Sequence, residues 1–471
     1  MNLLEQFVHT AAEQELWRDG DVIVAAVSGG PDSMALLHML ASIADGRRLT
    51  TIAAHVNHGF RQAESARELE VVKQYADHLG VRCETVELDL PSYIAETGLN
   101  SQAAARELRY KFLLEAASRN GASRIALAHH ADDQAETVLM HVIRGTGLTG
   151  LAGMRSKRIE KNVELIRPLL RMNKSDLITY CSEHSVPYCV DSSNLERHYF
   201  RNIVRLDILP YMSQYNPQLS LSLQRLADVA GEEDDWMEAQ TEELFRQLVA
   251  VKPGECSLSC LELNNLHVAL QRRLIKLILN YLSLKSANIS FEAIETMRLA
   301  ASNHSPATWR MDAGSQIQCA REYEWMRWRR LERIETDDSV DFKYEIHKET
   351  QLIEVGPAES DWSFQLEHHA DSSRRPASRY EACFDAGQLT YPLMLRNRRF
   401  GDRIQVLGLN GSKKVQDMFV DEKIAPSIRE RYPLLVDASG RLLWIPGIRR
   451  SNHALVGKET EEVLYIRAFH E

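Results

Sequence analysis

Residues 27 to 33 read Val27-Ser28-Gly29-Gly30-Pro31-Asp32-Ser33, where an apolar run from Val22 to Val27 gives way to a helical pattern from Ser33 to Ile43. Met34, Leu37, Leu40 and Ala41 fall on one face of that helix. An unbroken apolar run suits a strand buried on both sides, as in a parallel sheet. Paired glycines let the backbone approach an anion closely, the following helix aims unbonded amides at it, and Ser28 and Ser33 add hydroxyls. The stretch is therefore expected to cradle a phosphate or pyrophosphate. The plainer alternative is a tight strand-to-helix turn, for which one glycine would serve, with Asp32 as a first-turn acid favoured by the helix dipole. No G-x-x-x-x-G-K-[ST] occurs anywhere and this loop is not G-x-G-x-x-G, so γ-phosphoryl transfer of the kinase type and hydride chemistry lose support.

Outward from this loop the pattern repeats. A second strand ends in Ala53-Ala54-His55-Val56, and a helix from about Ala63 to Leu79 stops at Gly80. Then come a strand from Val81 to Leu88, a helix from Ser101 to Ser118 stopped near Gly121, a strand from Ile125 to His129, and a helix from Asp132 to Ile143. Repeated β-α crossover with right-handed connections predicts a doubly wound parallel sheet, with ligands at the carboxyl ends of the strands. The fold expected is α/β, a doubly wound parallel sheet over residues 1–216, followed by a mainly helical domain over 217–335. A linker or loose strands over 336–379 and a small α+β domain over 380–471 complete it. The helical part is signalled by Gln271 to Leu279, and short strands by Trp, Tyr and Arg interleaved from Ile317.

The 471 residues are 44% hydrophobic and 26% charged, which excludes a disordered or fibrous chain. No apolar run reaches the roughly 20 residues a bilayer span needs, and the amphipathic, acidic start is unlike a secretory signal, so a cytoplasmic location is expected. Seven scattered cysteines with no C-x-x-C pair argue for reduced thiols. The net charge of -10 does not advertise nucleic-acid binding, but it averages over domains.

Asp133 and Glu136 are three apart on a predicted helix and share a face, with Asp132 four from Glu136. Alone, that pattern serves equally a solvated acidic first turn and a site for an amine. Arg106, Arg109 and Arg144 are candidate phosphate partners, since a guanidinium forks onto two oxygens; ordinary surface ion pairing is the competing reading. His55, His58, His129 and His130 sit at strand ends, but their spacing matches no zinc signature. Arg396 to Arg403 and Lys413-Lys414 form basic clusters with Phe400 and Phe419 interleaved, suited to phosphate contact and base or sugar packing.

The S-G-G-x-D-S string resembles the PP-loop of the N-type ATP pyrophosphatases, which release pyrophosphate from ATP and adenylate a substrate. Five further strings narrow the likeness: His55 to Arg61, Ala105 to Tyr110, His129 to Thr137, Arg144 to Gly147, and Asp191 to Asn194 ahead of Arg201-Asn202. With Asn397 to Arg403 and Gly411 to Phe419 they resemble the tRNA(Ile)-lysidine synthetases, so the likeness covers a whole architecture. Phe60 stands where leucine is usual, and Ala425 precedes Pro426, both outside the chemistry.

The resemblance implies a cytoplasmic ligase using ATP and Mg2+ to join L-lysine to C2 of the wobble cytidine (position 34) of a CAU-bearing isoleucine tRNA, through an adenylated cytidine, as a possible homodimer. It assigns catalysis to Asp32, Asp133, Glu136 and Arg106. It assigns ATP binding to Ser28, Gly29, Gly30, Pro31, Asp32, Ser33, His55, Arg109 and Gly145, and Mg2+ to Asp32. Lysine falls to Asp133 and Glu136, and tRNA to Arg398, Arg399, Arg403, Lys413 and Lys414. A tRNA thiolase would want a reactive cysteine near the loop, where only the isolated Cys83 precedes the middle of the catalytic half. An ammonia-using synthetase would want a glutaminase motif, which the chain lacks, and intact loop residues speak against a non-catalytic RNA-binding protein.

Overall fold

The computed structural model describes residues 2–57, 62–190, 197, 199–283, 289–303, 307–331, 342–355, 362–370, 374–406 and 411–470. His58 to Arg61, the later part of the string from His55, and the whole of Asp191 to Asn194 lie outside them. The chain divides into two compact units, 1–238 and 239–471.

The first unit runs α1 (Leu3–Glu13), β1 (Val22–Ala26), α2 (Pro31–Arg47), β2 (Thr50–Asn57), α3 (Gln62–His78), β3 (Arg82–Glu87), α4 (Leu90–Thr97), α5 (Ser101–Arg119), β4 (Arg124–Ala126), α6 (Ala131–Arg144) and α7 (Leu148–Leu151). It continues through β5 (Lys157–Glu160), β6 (Val163–Ile166), α8 (Lys174–Glu183), α9 (Phe200–Ile203), α10 (Leu209–Ser213) and the long α11 (Leu219–Leu248). The sheet order is β3-β2-β1-β4-β6-β5, parallel except for the β5–β6 hairpin. Alternation along β1 shows why it needed an unbroken apolar run. Ile23 and Ala25 join a core built with α1, α2 and α8, whereas Val24 joins the opposite core beneath α5. Strand order reverses between β1 and β4, and at such a switch point the loops after the two strands diverge and leave a crevice.

The acidic run Glu232 to Asp235 on α11 is not simply a solvated face. Asp234 is buried, receiving Thr149 Oγ1 at 2.9 Å and Arg155 Nη2 at 3.1 Å. The hairpin β5–β6 and the helix α4 went unread in the sequence.

The second unit begins with β7 (Ala250–Lys252), β8 (Glu255–Ser259), α12 (Cys260–Asn265), α13 (Val268–Leu282), α14 (Phe291–Ser302), β9 (Thr308–Asp312), β10 (Ile317–Glu322) and β11 (Trp325–Arg330). The region expected to be mainly helical thus also holds a sheet, β7-β8-β11-β10-β9, whose inner face packs Cys256, Leu258, Met326 and Trp328 against Leu274, Ile275 and Ile278 of α13. There follow β12 (Lys343–Ile346), β13 (Leu352–Val355), β14 (Trp362–His369), β15 (Glu381–Asp385), β16 (Leu393–Arg396), β17 (Arg403–Gln405), β18 (Ser412–Lys414), α15 (Val415–Asp421), α16 (Pro426–Arg429), β19 (Leu434–Val436), β20 (Leu442–Ile445), β21 (Arg449–Arg450) and β22 (Val463–His470).

Residues 336–379 supply more than a linker. β12 pairs with β16 over Lys343–Ile346, and β14 pairs with β22 along its whole length. The alternation Trp362, Phe364, Leu366 buries one face of β14 in the core with Leu395, Leu435, Trp444 and Ile466, a two-residue period that the flanking polar stretches hide in the sequence.

Candidate active site

The loop between β1 and α2 takes the shape its residues predict. Gly29 has φ +93°, a conformation L side chains rarely adopt, and a Cβ there would come within 3.4 Å of Glu68. Ser33 folds back, donating from Oγ to Gly30 O at 3.0 Å and accepting from Ser28 N at 3.1 Å, with Ser28 Oγ 3.2 Å away. Gly30 caps α2 without a side-chain hydrogen bond and Pro31 has no amide to waste, so the first-turn amides of a 17-residue helix are left for a ligand. The loop is also tied from outside: Cys189 N donates to Gly29 O at 2.9 Å.

Asp32 stands at the first turn of α2. Its Oδ2 lies 3.7 Å from His130 Nε2 and 3.8 Å from Lys174 Nζ, while its Oδ1 is buried with no hydrogen-bond partner. Burial raises its carboxyl above the ordinary value, against the pull of His130 and Lys174. An orphaned, desolvated carboxylate oxygen beside a free-amide cradle fits Mg2+ held jointly with a polyphosphate, since that ion commonly takes only one or two protein carboxylates. Among the described residues no group of three or more His, Cys, Asp or Glu could hold a metal ion.

His55, at 1% exposure, donates from Nδ1 to Val27 O at 2.9 Å; burial keeps its ring neutral, so Nε2 is left as a buried acceptor without a partner. His129 is set the other way. Burial and the charges of Arg167, Arg201 and Arg109 push it down to about 4, Asp133 pulling against them. Its Nδ1 accepts from Arg167 Nε at 3.3 Å, which leaves the proton on Nε2. His130 is raised instead: burial disfavours its charge, but Asp132, Asp133 and Asp32 together outweigh that.

Helix α6 presents Asp133 and Glu136 toward two arginines. Arg201 Nη2 and Arg205 Nη2 reach Asp133 Oδ1 at 2.9 and 3.2 Å, Arg201 Nε reaches Glu136 Oε2 at 2.8 Å, and Arg205 Nε reaches Glu136 Oε1 at 2.5 Å. Asp133 Oδ2 also accepts from His130 N at 3.1 Å. Glu136 is 1% exposed, so this quartet of two negative and two positive charges is buried on its Glu136 side, while the Arg201 and Arg205 side chains stay partly open to solvent. The apolar side of α6, Ala135, Val138 and Leu139, packs on Val204 and Leu209 and fixes the distance between the pairs. Arg205 lies in a turn of π-helix, Val204–Ile208, closed by Leu209 N on Val204 O. Pro210, which has no amide to give Leu206, follows at once.

The structure thus brings Ser28, Gly29, Gly30, Pro31, Asp32, Ser33 and His55 to one loop and strand end, and Asp133 and Glu136 to the next. Arg109 is close enough to influence His129, and it and Arg106 lie over the Tyr110 ring at 5.9 and 5.1 Å. Arg144 lies over Phe200 at 5.7 Å, with Gly145 closing α6 at φ +78°. Lys174, Arg167, Arg201 and Arg205 were not among the expected site residues. Arg201 and Arg205 carried one usable signal, a four-residue spacing that matches a pair of carboxylates on a facing helix.

In the second unit Arg398 Nη1 donates to Gln416 Oε1 at 2.5 Å, and Arg403 donates to Ser412 Oγ and O at 2.9 and 3.0 Å. Lys413 pairs with Asp421, while Arg399 and Lys414 are exposed.

Comparison with known proteins agrees with this division. Residues 3–212 match a family model described as a PP-loop domain, and residues 393–466 one described as the TilS substrate C-terminal domain. The chain is 36% identical over 437 residues to tRNA(Ile)-lysidine synthase of Bacillus subtilis (strain 168), covering 92% of this chain and 90% of the relative. It is 36% identical over 456 residues to that of Bacillus licheniformis, covering 96% and 93%, and 31% identical over 451 residues to that of Geobacillus kaustophilus (strain HTA426), covering 94% of each. With a PP-loop cradle at one end and a matching substrate domain at the other, the chain belongs to the tRNA(Ile)-lysidine synthase family.

Proposed function

We propose that this chain forms lysidine on isoleucine tRNA, joining L-lysine to C2 of the wobble cytidine of a CAU anticodon through an adenylated cytidine, with AMP and pyrophosphate released. Family membership supports the ligase activity and the tRNA substrate. The observation that carries the chemistry is the orphaned Asp32 Oδ1 beside the uncapped amides of α2.

The C2 oxygen of cytosine leaves poorly until it carries an AMP group. Its attack on the α-phosphorus of ATP expels pyrophosphate, whose charge the loop amides and the Ser28 hydroxyl can take. Mg2+, held by Asp32 when bound, would neutralise part of the polyphosphate charge. His55 offers Nε2 to a donor such as the exocyclic amine of adenine. Lysine must arrive as an ammonium and attack as an amine. An ammonium that replaces one guanidinium in the quartet lies between Asp133 and Glu136, able to accept its proton, and beside a second guanidinium that disfavours keeping it.

Sulfur transfer has little support here. Among the thiols nearest the loop, burial raises Cys83 and Cys189 and pushes Cys181 up to about 11, so none is poised as a thiolate. The test is to incubate the purified chain with a CAU-bearing tRNA transcript, ATP, Mg2+ and either labelled lysine or a sulfur donor. Lysine label in the tRNA with matching AMP and pyrophosphate is expected; ADP, or sulfur in place of lysine, overturns the reading.

A further inference from the structure

We infer that the turn Arg399 to Asp402 displays Phe400 as a stacking platform for an unpaired nucleobase of the RNA substrate, with the adjoining cations on that nucleotide's phosphates. This deepens the tRNA-binding part of the reading above and rests on it.

Phe400 is wholly exposed, at 104% of the reference value, yet the turn that carries it is held from beneath. Arg396, itself buried, grips Asp402 with both terminal nitrogens at 2.8 Å. Asp402 Oδ2 also accepts from Arg399 N at 2.7 Å, and Asp402 N closes the turn on Arg399 O at 3.2 Å. Val415 N donates to Asp402 O at 3.0 Å, and Gly401 has φ +88°, as the third position of a type II turn requires. A phenylalanine on a loose loop would signify little. One fixed at the corner of a turn by a largely buried arginine on a half-buried aspartate keeps its backbone in place and loses little freedom when a flat partner covers the ring.

The surroundings select the partner. Arg399, Arg403 and Lys414 are exposed, and none pairs through its side chain with a carboxylate among the described residues; the Arg403 guanidinium donates to Ser412. Such cations suit a polyanion. A specific protein partner needs roughly 800 Å² on each side, and the positions flanking Phe400 in sequence, Arg399, Gly401, Asp402 and Arg403, add no apolar side chain to it. A single ring suffices to stack a single base. Paired bases in an RNA helix offer no free face, so the occupant is unpaired.

The experiment uses the full chain and three probes: the tRNA transcript, a short unstructured RNA oligonucleotide and a blunt RNA duplex of the same length. Phe400→Ala is expected to weaken tRNA and oligonucleotide binding about tenfold, within the range for loss of one stacked base, at unchanged salt slope and with the duplex unaffected. Phe400→Trp should restore binding and Phe400→Leu should not, which separates stacking from plain apolar contact. Wild-type affinity of Phe400→Ala, full rescue by leucine, equal loss on the duplex, or a change of oligomeric state in place of RNA binding would each overturn the inference. Lys413→Ala with Lys414→Ala distinguishes the two levels. If that pair weakens tRNA binding while Phe400→Ala does not, only the stacking fails. If neither does, the tRNA reading of this domain fails with it.

Discussion

Two arginine–carboxylate arrangements in this chain look alike and do opposite work. In the first unit Arg201 and Arg205 face Asp133 and Glu136, and the four charges satisfy one another, so a charged ligand must displace a member to enter. In the second, Arg396 and Asp402 satisfy one another beneath a turn whose other cations point outward. There the pair is frame, and in our proposal its neighbours meet the ligand. A buried ion pair therefore does not announce whether it is chemistry or scaffold. What tells them apart is where the unspent donors and acceptors lie: near the quartet on Asp32, and outside the bridge on Arg399 and Lys414.

The largest effect expected tests the first region. Asp32→Asn should lower turnover by about 100-fold or more, the scale for losing a charged group that stabilises the transition state, with the unfolding transition unmoved. Turnover near wild type would remove Asp32 from the chemistry. Next, Arg396→Ala leaves the half-buried Asp402 without its guanidinium partner and should cost about 2 kcal/mol in denaturant unfolding. Burial works to raise the Asp402 carboxyl, but the hydrogen bonds from Arg396 and the Arg399 amide hold it below the usual 3.8. Its contribution is therefore complete above that value and is lost as pH falls through the folded, lower one. Wild type should show this acid loss and Arg396→Ala should show less of it, the Arg399 amide alone remaining; identical acid profiles would make the bridge ornamental.

A smaller effect separates roles within the quartet. Asp133→Asn and Glu136→Gln should each raise the KM for lysine by about tenfold, the worth of one charge-assisted hydrogen bond, and that for ATP by less. If only the ATP dependence moves, these carboxylates serve the metal and phosphates. The smallest change lies on the second unit's surface. Lys413→Ala with Lys414→Ala should weaken tRNA binding and flatten its salt dependence by about one unit of slope per lost phosphate contact. Because Lys413 already pairs with Asp421, a loss of one unit and not two would identify Lys414 as the contact.

The sheet of the first unit was legible because its central strands are apolar on both sides and its helices end at glycines such as Gly80 and Gly121, which take the left-handed conformation there. The β5–β6 hairpin was not, since Lys157–Glu160 is short and mostly exposed and so lacks a hydrophobic period. In the site, the loop and the α6 carboxylates were readable as local strings. Their partners were not, because Arg201 and Arg205 reach Glu136 across 65 and 69 residues of chain, and no local pattern encodes that return. The strands of residues 342–369 were obscured by polar and Gly/Pro-rich neighbours, although β14 alternates cleanly.

The bond from Cys189 N to Gly29 O joins backbone to backbone. A tie of that kind is blind to side-chain identity. Position 189 should therefore tolerate any substitution that fits the space, without the phosphate loop registering the change. Proline is the one residue it cannot accept, because proline brings no amide hydrogen. A saturation library at this position should consequently read as almost flat, with a single dead variant whose defect appears in ATP use and leaves tRNA binding alone.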